Sequence, residues 1–423
     1  MLDRQFPHSR LAAATRRRIA ALALARTDRY GLRTITTSGL VAAVPDEHAN
    51  YRSNILPAMR PLTVLVTAAG APGTAALLRA LQENGERDIR LVGCDMSERS
   101  VGRFLCDAFA VVPPGADPRF PGALIDLCGQ EGVNAVLPQS SHDLAGLAEA
   151  KGELEAAGVA ALVSSAETVR RANDKAECYR LLGEAGVPVP AFRRASGREA
   201  FVAAATELGY PKYPVCFKPV MSSGSRGFRV LDPSVDRERQ LLRERPGSLA
   251  MRLEDVAELL PEDGGDELLV MELAQGGERT VDGVARAGRI VLGHPKTREA
   301  MRAGLAMFFR TLDDPELVAT AGRAVAALEI EHFFNVQLVG DLVIEVNPRI
   351  STVVYQEDLN LPYLGLKHAL GELSDDELAA FAARVRPTRR ALRYFDQVEW
   401  DEAASRRPVR PGGQVFRSKG VLS

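Results

Sequence analysis

At 423 residues, with 46% hydrophobic and 26% charged side chains, the chain is long enough for two or three domains with sizeable cores. Its net charge of −2 gives no electrostatic reason to invoke nucleic acid or an anionic membrane as a partner. Cys94, Cys106, Cys128, Cys178 and Cys216 form no CxxC pair and read as thiols in a reducing, cytoplasmic setting, and no apolar run approaches the roughly 18 residues of a transmembrane helix.

In chain order, residues 1–58 form a basic extension that does not match the rest. The first 60 residues hold ten arginines, four acids and no lysine. A basic arm, an organelle-targeting peptide and upstream sequence of little weight in the fold are all open readings. The clean start of a compact pattern after Met59 favours the third, a poorly ordered or non-essential segment.

From Pro61 strands and helices alternate. Leu62–Thr67 is an apolar run of buried parallel-strand type, followed by a Gly-rich turn and a helix to about Leu81. Strands are expected at 89–95, 108–113 and 135–138, with a helix over 120–131. This is a doubly wound α/β unit spanning 59–165. The turn holds Gly70 and Gly73, and Asp95 ends the next strand, which resembles part of a dinucleotide fingerprint. Without the full GxGxxG, and with Pro72 removing a backbone donor, the motif is weak.

The next unit, 166–372, opens with Asn173-Asp174 as a helix N-cap and a helix over 175–184. Its small lobe spans about 190–270. There the strand Val215–Pro219 carries Lys218 and runs into a loop, Ser222, Ser223, Gly224, Ser225, Arg226 and Gly227, before a second strand. Amides of such a loop can approach phosphate oxygens, and Lys218 can add a point charge. A flexible hairpin loop with a solvated lysine has the same signature. The strand 268–274 runs into Gly276-Gly277, an apolar slot with backbone donors and acceptors that suits adenine. Glu278 and Asp282 follow, either as acceptors for ribose hydroxyls or as exposed acids on an edge strand. Residues 281–291 read as a hairpin.

Two further apolar runs flank Gly340-Asp341, so 335–347 reads as a β-hairpin. Alternation puts Glu345 and Asn347 on one face of its second strand, with Gln337 on the first. Oxygen-bearing side chains beside the cationic Arg349 suit a hard cation carrying a polyphosphate.

The order of these motifs carries a resemblance. Asn173-Asp174-Lys175, Phe217-Lys218-Pro219 with its loop, Val270–Leu273, Asn335-Val336-Gln337, Ile344–Ser351 and Leu361–Lys367 with Leu370-Gly371-Glu372 make residues 59–372 resemble an ATP-grasp enzyme. The likeness is to the ATP-binding halves of carbamoyl-phosphate synthetase and related carboxylate–amine ligases. It implies a Rossmann-like pre-ATP-grasp domain followed by a two-lobed α+β ATP-grasp domain, with ATP and Mg²⁺, or Mn²⁺, as cofactors. It implies that Lys175 and Lys218 bind phosphates under loop 222–227, that Glu272, Leu273 and Ala274 meet adenine, and that Glu278 meets ribose. Gln337, Glu345 and Asn347 would hold the metal, with neutral Gln337 the weakest ligand. Arg349 would steady the transferring phosphoryl group. Arg298 and Arg302, after Pro295-Lys296-Thr297, are candidates for a substrate carboxylate, and His294 reads as structural.

The implied chemistry is formation of an acyl phosphate from a small carboxylate, then attack by an amine, with release of ADP and phosphate. Transfer to bicarbonate without amide formation, and a nucleotide-binding regulator without catalysis, are the alternatives. The single grasp module, with no amidotransferase or biotin-carrier segment, argues against glutamine-dependent carbamoyl phosphate synthesis and against carboxylation. Small-molecule substrates and, by the resemblance, a homodimer are expected. The last segment, 373–423, is expected to pack on the grasp domain, with a helix over 375–385 and a loose end from Ala403.

Overall fold

The apolar run after Pro61 becomes β1 (Leu62–Thr67), buried as a central parallel strand must be. The computed structural model describes residues 59–222, 224, 226–244, 249–302, 304–351 and 358–400, with the backbone of 416–417. The extension 1–58, Ser223, Ser225 and the rest of the tail from Ala403 lie outside the described residues. After β1 come α1 (Thr74–Gln82), β2 (Ile89–Asp95), α2 (Gly102–Leu105), β3 (Ala108–Val111), α3 (Phe120–Glu131), β4 (Ala135–Pro138), α4 (Leu144–Ala156) and β5 (Ala160–Ala161). These strands are parallel in the order β3-β2-β1-β4-β5. Strand β3 stops short of Pro113, which has no N–H to give the ladder. The strand order changes direction between β1 and β4, the switch point of a doubly wound sheet.

Helices α5 (Ala166–Asn173) and α6 (Lys175–Glu184) meet at Asp174. The Asp174 carboxylate accepts from the N–H groups of Ala176 and Glu177 at 3.1 and 2.9 Å, the cap expected from the sequence. Then follow β6 (Phe192–Ala195), α7 (Arg198–Glu207), β7 (Val215–Pro219), β8 (Arg229–Leu231), α8 (Arg237–Arg243), β9 (Ala250–Met251), α9 (Leu253–Leu259) and β10 (Leu268–Glu272). The strands form a sheet ordered β6-β10-β7-β8-β9. Phe201 of α7 packs edge-to-face on Phe217 of β7, 5.0 Å between ring centroids.

Strands β11 (Glu278–Arg286) and β12 (Arg289–Thr297) make a long hairpin, and a shorter one follows in β13 (Glu299–Arg302) and β14 (Leu305–Arg310). After α10 (Pro315–Ala327) come β15 (His332–Val339) and β16 (Leu342–Asn347). The main antiparallel sheet has the order β12-β11-β15-β16. Asp282 therefore stands on an interior strand and is 1% exposed, which corrects its reading as an exposed acid on an edge.

Helix α11 (Leu361–Ala369) buries every residue from Leu361 to Lys367 and joins the two sheets. Its Leu361, Leu364 and Leu366 share one core with Leu77 and Leu81 of α1 and Phe333 of β15. Arg87 locks the same seam: its guanidinium donates to Tyr363 Oη at 3.0 Å and to Glu372 Oε1 at 2.9 Å. Arg87→Ala should lower stability by about 2 kcal/mol, because the Tyr363 and Glu372 oxygens lose a charged donor while Glu372 keeps some water. A shifted urea midpoint with an unchanged slope would register this; an unchanged midpoint would refute it.

The helix expected over 375–385 is divided into α12 (Asp375–Ala380), capped by Ser374 and Glu377, and a 3₁₀ turn, Phe381–Arg384. Next, β17 (Arg390–Leu392) pairs with β14. Trp400 sits against Phe104 of α2, 4.9 Å between centroids. The backbone of β18 (Phe416–Arg417) pairs with β3.

Candidate active site

Lys175 lines a cavity, and Lys218 reaches a carbonyl in its wall. Lys175, set at the first turn of α6 by the Asp174 cap, donates its ammonium to the carbonyls of Ser222 and, at 3.5 Å, Val220. Lys218, near the end of β7, donates to the Ile344 carbonyl at 3.2 Å and stands 5.5 Å from the Tyr179 ring centroid. Tyr179 reaches the same carbonyl at 2.7 Å. Burial, then the Lys218 charge, lowers the Lys175 pKa to about 8, while Glu345 pulls it upward. Burial lowers Lys218 as well, again opposed by Glu345. Main-chain carbonyls cannot neutralise two ammonium groups, so the pair is poised for an anion.

Glu345 lines this cavity with Lys175, Ser141, Tyr179, Ser222 and Asn347. Register places Glu345 opposite Gln337 and Asn347 opposite Asn335, the face that alternation predicts. One buried carboxylate fixes the orientation of every amide here. Asp282, ion-paired with the buried Lys296, can only accept, so Asn335 must turn its Nδ2 toward it, at 2.6 Å. Asn335 Oδ1 then faces the other way and accepts from Gln337 Nε2 at 2.7 Å and Asn347 Nδ2 at 3.3 Å. The oxygens of Gln337 and Asn347 are thereby turned away from Asn335 and remain as acceptors. Two amide oxygens and one carboxylate are hard ligands that fit Mg²⁺.

Arg349 donates its Nε to Ser141 Oγ at 2.8 Å, which ties the β16 end to the β4–α4 loop. The next residue, His142, meets Arg226 of the glycine-rich loop at 2.6 Å. That loop returns through Gly227, at φ +73°, where a Cβ would fall 2.5 Å from the Pro219 ring. Ser222 lines the cavity, and Gly224 and Gly227 continue the turn. Ser141 and His142 carried no sequence reading; their signal was their place just past the carboxyl end of strand β4, where α/β sheets put ligand-binding loops.

Other candidates stand elsewhere. Glu272 ends β10, and Leu273 and Ala274 leave it as a linker, with Leu273 N–H bonded to Pro214 O at 3.1 Å. Glu278 and Arg298 hold each other: Arg298 Nε donates to Glu278 Oε1 at 2.6 Å, and the guanidinium also reaches Gly304 O at 3.3 Å. Arg302 lies on exposed β13 with its guanidinium 5.0 Å from the Phe395 ring. Neither Arg298 nor Arg302 lines the lysine cavity. His294 is buried, and burial holds its pKa well below the usual range.

Residues 265–391 match the family described as "ATP-grasp in the biosynthetic pathway with Ter operon", and residues 64–162 match "PylC-like, N-terminal domain". The chain is 29% identical over 176 residues to formate-dependent phosphoribosylglycinamide formyltransferase from Burkholderia thailandensis, a match covering 41% of this chain and 40% of that protein. The chain thus spans less than half the length of that relative. Its fold is similar to that of L-amino acid ligase from Bacillus licheniformis, with TM-score 0.55, 15% identity and 78% of each chain covered. It is also similar to that of biotin carboxylase from Campylobacter jejuni, with TM-score 0.53, 20% identity, and 75% and 72% covered.

Proposed function

We propose that the chain, whose residues 265–391 match an ATP-grasp family model, is an ATP-dependent carboxylate–amine ligase acting on small molecules. The observation that carries this reading is a cavity lined by Lys175, Glu345 and Asn347, with Lys218 bonded to the Ile344 carbonyl in its wall and amide oxygens left as acceptors beside it. A protein that only stored nucleotide would have no use for a metal face set opposite two desolvated lysines.

Lys175 and Lys218 would hold the phosphates of ATP, and Glu272, Leu273 and Ala274 its adenine. Glu278 would take the ribose. Gln337, Glu345 and Asn347 would hold Mg²⁺ or Mn²⁺; when bound, the cation draws charge from the phosphate oxygens. Arg349, steadied by Ser141, would offset the charge on the group in transfer. A substrate carboxylate attacks the γ-phosphorus and ADP leaves. The amine nitrogen then attacks the acyl carbon, the bond to phosphate breaks, and phosphate departs. The loop carrying Arg226 would close over the cavity and keep water from the acyl phosphate. Arg298 would meet a substrate carboxylate only by releasing Glu278, and Arg302 would serve only if it leaves Phe395.

ADP release measured across pairs of small acids and amines tests the reading. ADP together with a new amide supports it. ADP with bicarbonate as the sole acceptor would replace it by phosphoryl transfer alone. Tight ATP binding without ADP from any pair would replace it by regulation.

A further inference from the structure

Lys296 is 1% exposed, and the chemistry proposed above gives it no task. Its ammonium is ion-paired with Asp282 Oδ2 and stands 5.2 Å from the Phe309 ring centroid. A buried ion pair is a weak source of stability, because desolvation offsets most of the attraction. Its place in the main antiparallel sheet gives it another use.

Strand register lays two rows of polar side chains across all four strands of that sheet. One row runs Lys296, Thr280, Gln337, Glu345, and its neighbour runs His294, Asp282, Asn335, Asn347. Residues paired across strands, and residues two apart along a strand, share a face, so all eight stand on one side. The ion pair occupies the β12–β11 end of these rows, and the metal face the β15–β16 end.

Hydrogen bonds join the two ends in a single direction. Asp282 turns one oxygen to Lys296 and the other, Oδ1, to Asn335 Nδ2 at 2.6 Å. The Thr280 hydroxyl donates to the Val336 carbonyl at 3.0 Å, so its oxygen is left to accept from Asn335 Nδ2, also at 2.6 Å. Asn335 Oδ1 then takes an N–H from Gln337 and from Asn347. Each N–H of the chain points toward Asp282, and each amide oxygen away from it. A hydroxyl can be reversed, being donor and acceptor; a carboxylate paired with an ammonium cannot.

We propose that Lys296 and Asp282 are positioning residues for the metal face: they dictate that Gln337 and Asn347 offer oxygen, not nitrogen, to a hard divalent cation. This rests on the reading of the cavity as a MgATP site within the ligase function above. Its consequence is one that loss of a merely structural contact would not have. In Asp282→Asn, Lys296 is a donor only and takes the oxygen of the new amide. The NH₂ of that amide faces Asn335, which turns its own oxygen to meet it, and the reversal passes to Gln337 and Asn347. Their NH₂ groups then face the cation, which takes oxygen ligands.

Binding of Mn²⁺ to the full chain at saturating ADP tests this without turnover, read from the paramagnetic resonance signal of the free ion against an ADP blank. Asp282→Asn should raise the half-saturating Mn²⁺ concentration at least about tenfold, the usual loss when a partner of metal ligands is changed. Adding Lys296→Met should return it to near the wild-type value, because the new amide is then free to offer its oxygen to Asn335. Melting curves without ligand report that each variant is folded. If Asp282→Asn alone does not fold, two double variants decide: Asp282→Asn with Lys296→Met, and Asp282→Leu with Lys296→Met. Both lack the ammonium, but only the first leaves an oxygen for Asn335, so the second should need about tenfold more Mn²⁺. Four results each overturn the proposal: wild-type Mn²⁺ affinity in folded Asp282→Asn, no recovery on adding Lys296→Met, equal affinities in the two double variants, or a wild-type protein that adds nothing to the ADP blank. The ligase reading fails by a different result, when no acid–amine pair releases ADP, whatever the Mn²⁺ titrations show.

Discussion

Glu345→Gln should cut ATP-dependent turnover by about 10²–10³-fold, the scale seen when one pre-set electrostatic group is removed from a transfer site. Glu345 is the sole carboxylate lining the lysine cavity among the described residues. Its neighbours in the metal face, Gln337 and Asn347, are neutral, so the substitution removes all of the formal charge available to a cation there. It has a second effect. Glu345 raises the proton affinity of both Lys175 and Lys218, so without it burial acts on them with less opposition. The variant should need more Mg²⁺ for half-maximal rate, and its nucleotide affinity should fall off at lower pH than in the wild type. The fold should survive, because no hydrogen bond of the amide network runs through Glu345. Magnesium titrations at several pH values read both effects. Wild-type turnover in a folded Glu345→Gln protein would remove the metal face from the mechanism.

The parts of this fold that the sequence made legible are those set by neighbours in the chain. The Asp174 cap fixes where Lys175 stands, and period-two alternation fixes which face Gln337, Glu345 and Asn347 share. Both need only a few consecutive residues. The sheet of β13, β14 and β17 was not legible, since it pairs Phe308 with Leu392 and β13 is exposed at all four positions, without alternation. The burial of Asp282 was hidden for a related reason. Its strand is interior only because β15 comes to pair with it, and its charge is tolerable only because Lys296 lies diagonally across the hairpin. From sequence, Asp282 reads as an acceptor for ribose or as an exposed acid on an edge strand. Ser141 holds Arg349 from more than two hundred positions away, and no local pattern announces that contact.

Removing a functional lysine should make the nucleotide-free protein more stable. Lys175→Met is expected to add up to about 3 kcal/mol at pH 7 and to weaken MgATP binding at least about tenfold. The sign follows from the direction of the shift. Lys175 titrates at about 8 in the folded chain against a model value of 10.5. Below pH 8 both states carry the proton, and the folded state bears the full cost of a desolvated ammonium. Between about pH 8 and 10.5 the unfolded chain binds more protons, so wild-type stability climbs with pH across that window and levels off above it. Methionine has no charge to desolvate, so the variant should lack most of this climb. Phosphate reverses the balance, because it favours the protonated lysine and raises its pKa. MgATP affinity in the wild type should therefore fall as pH rises above about 8, more steeply than in the variant, where only Lys218 remains. Urea unfolding at pH 7 and pH 10, with calorimetric titration of MgATP across the same range, checks both limbs. If the variant is no more stable than the wild type at pH 7, the lysine is not held at a cost. If wild-type affinity is also flat with pH, its ammonium does not meet the phosphates.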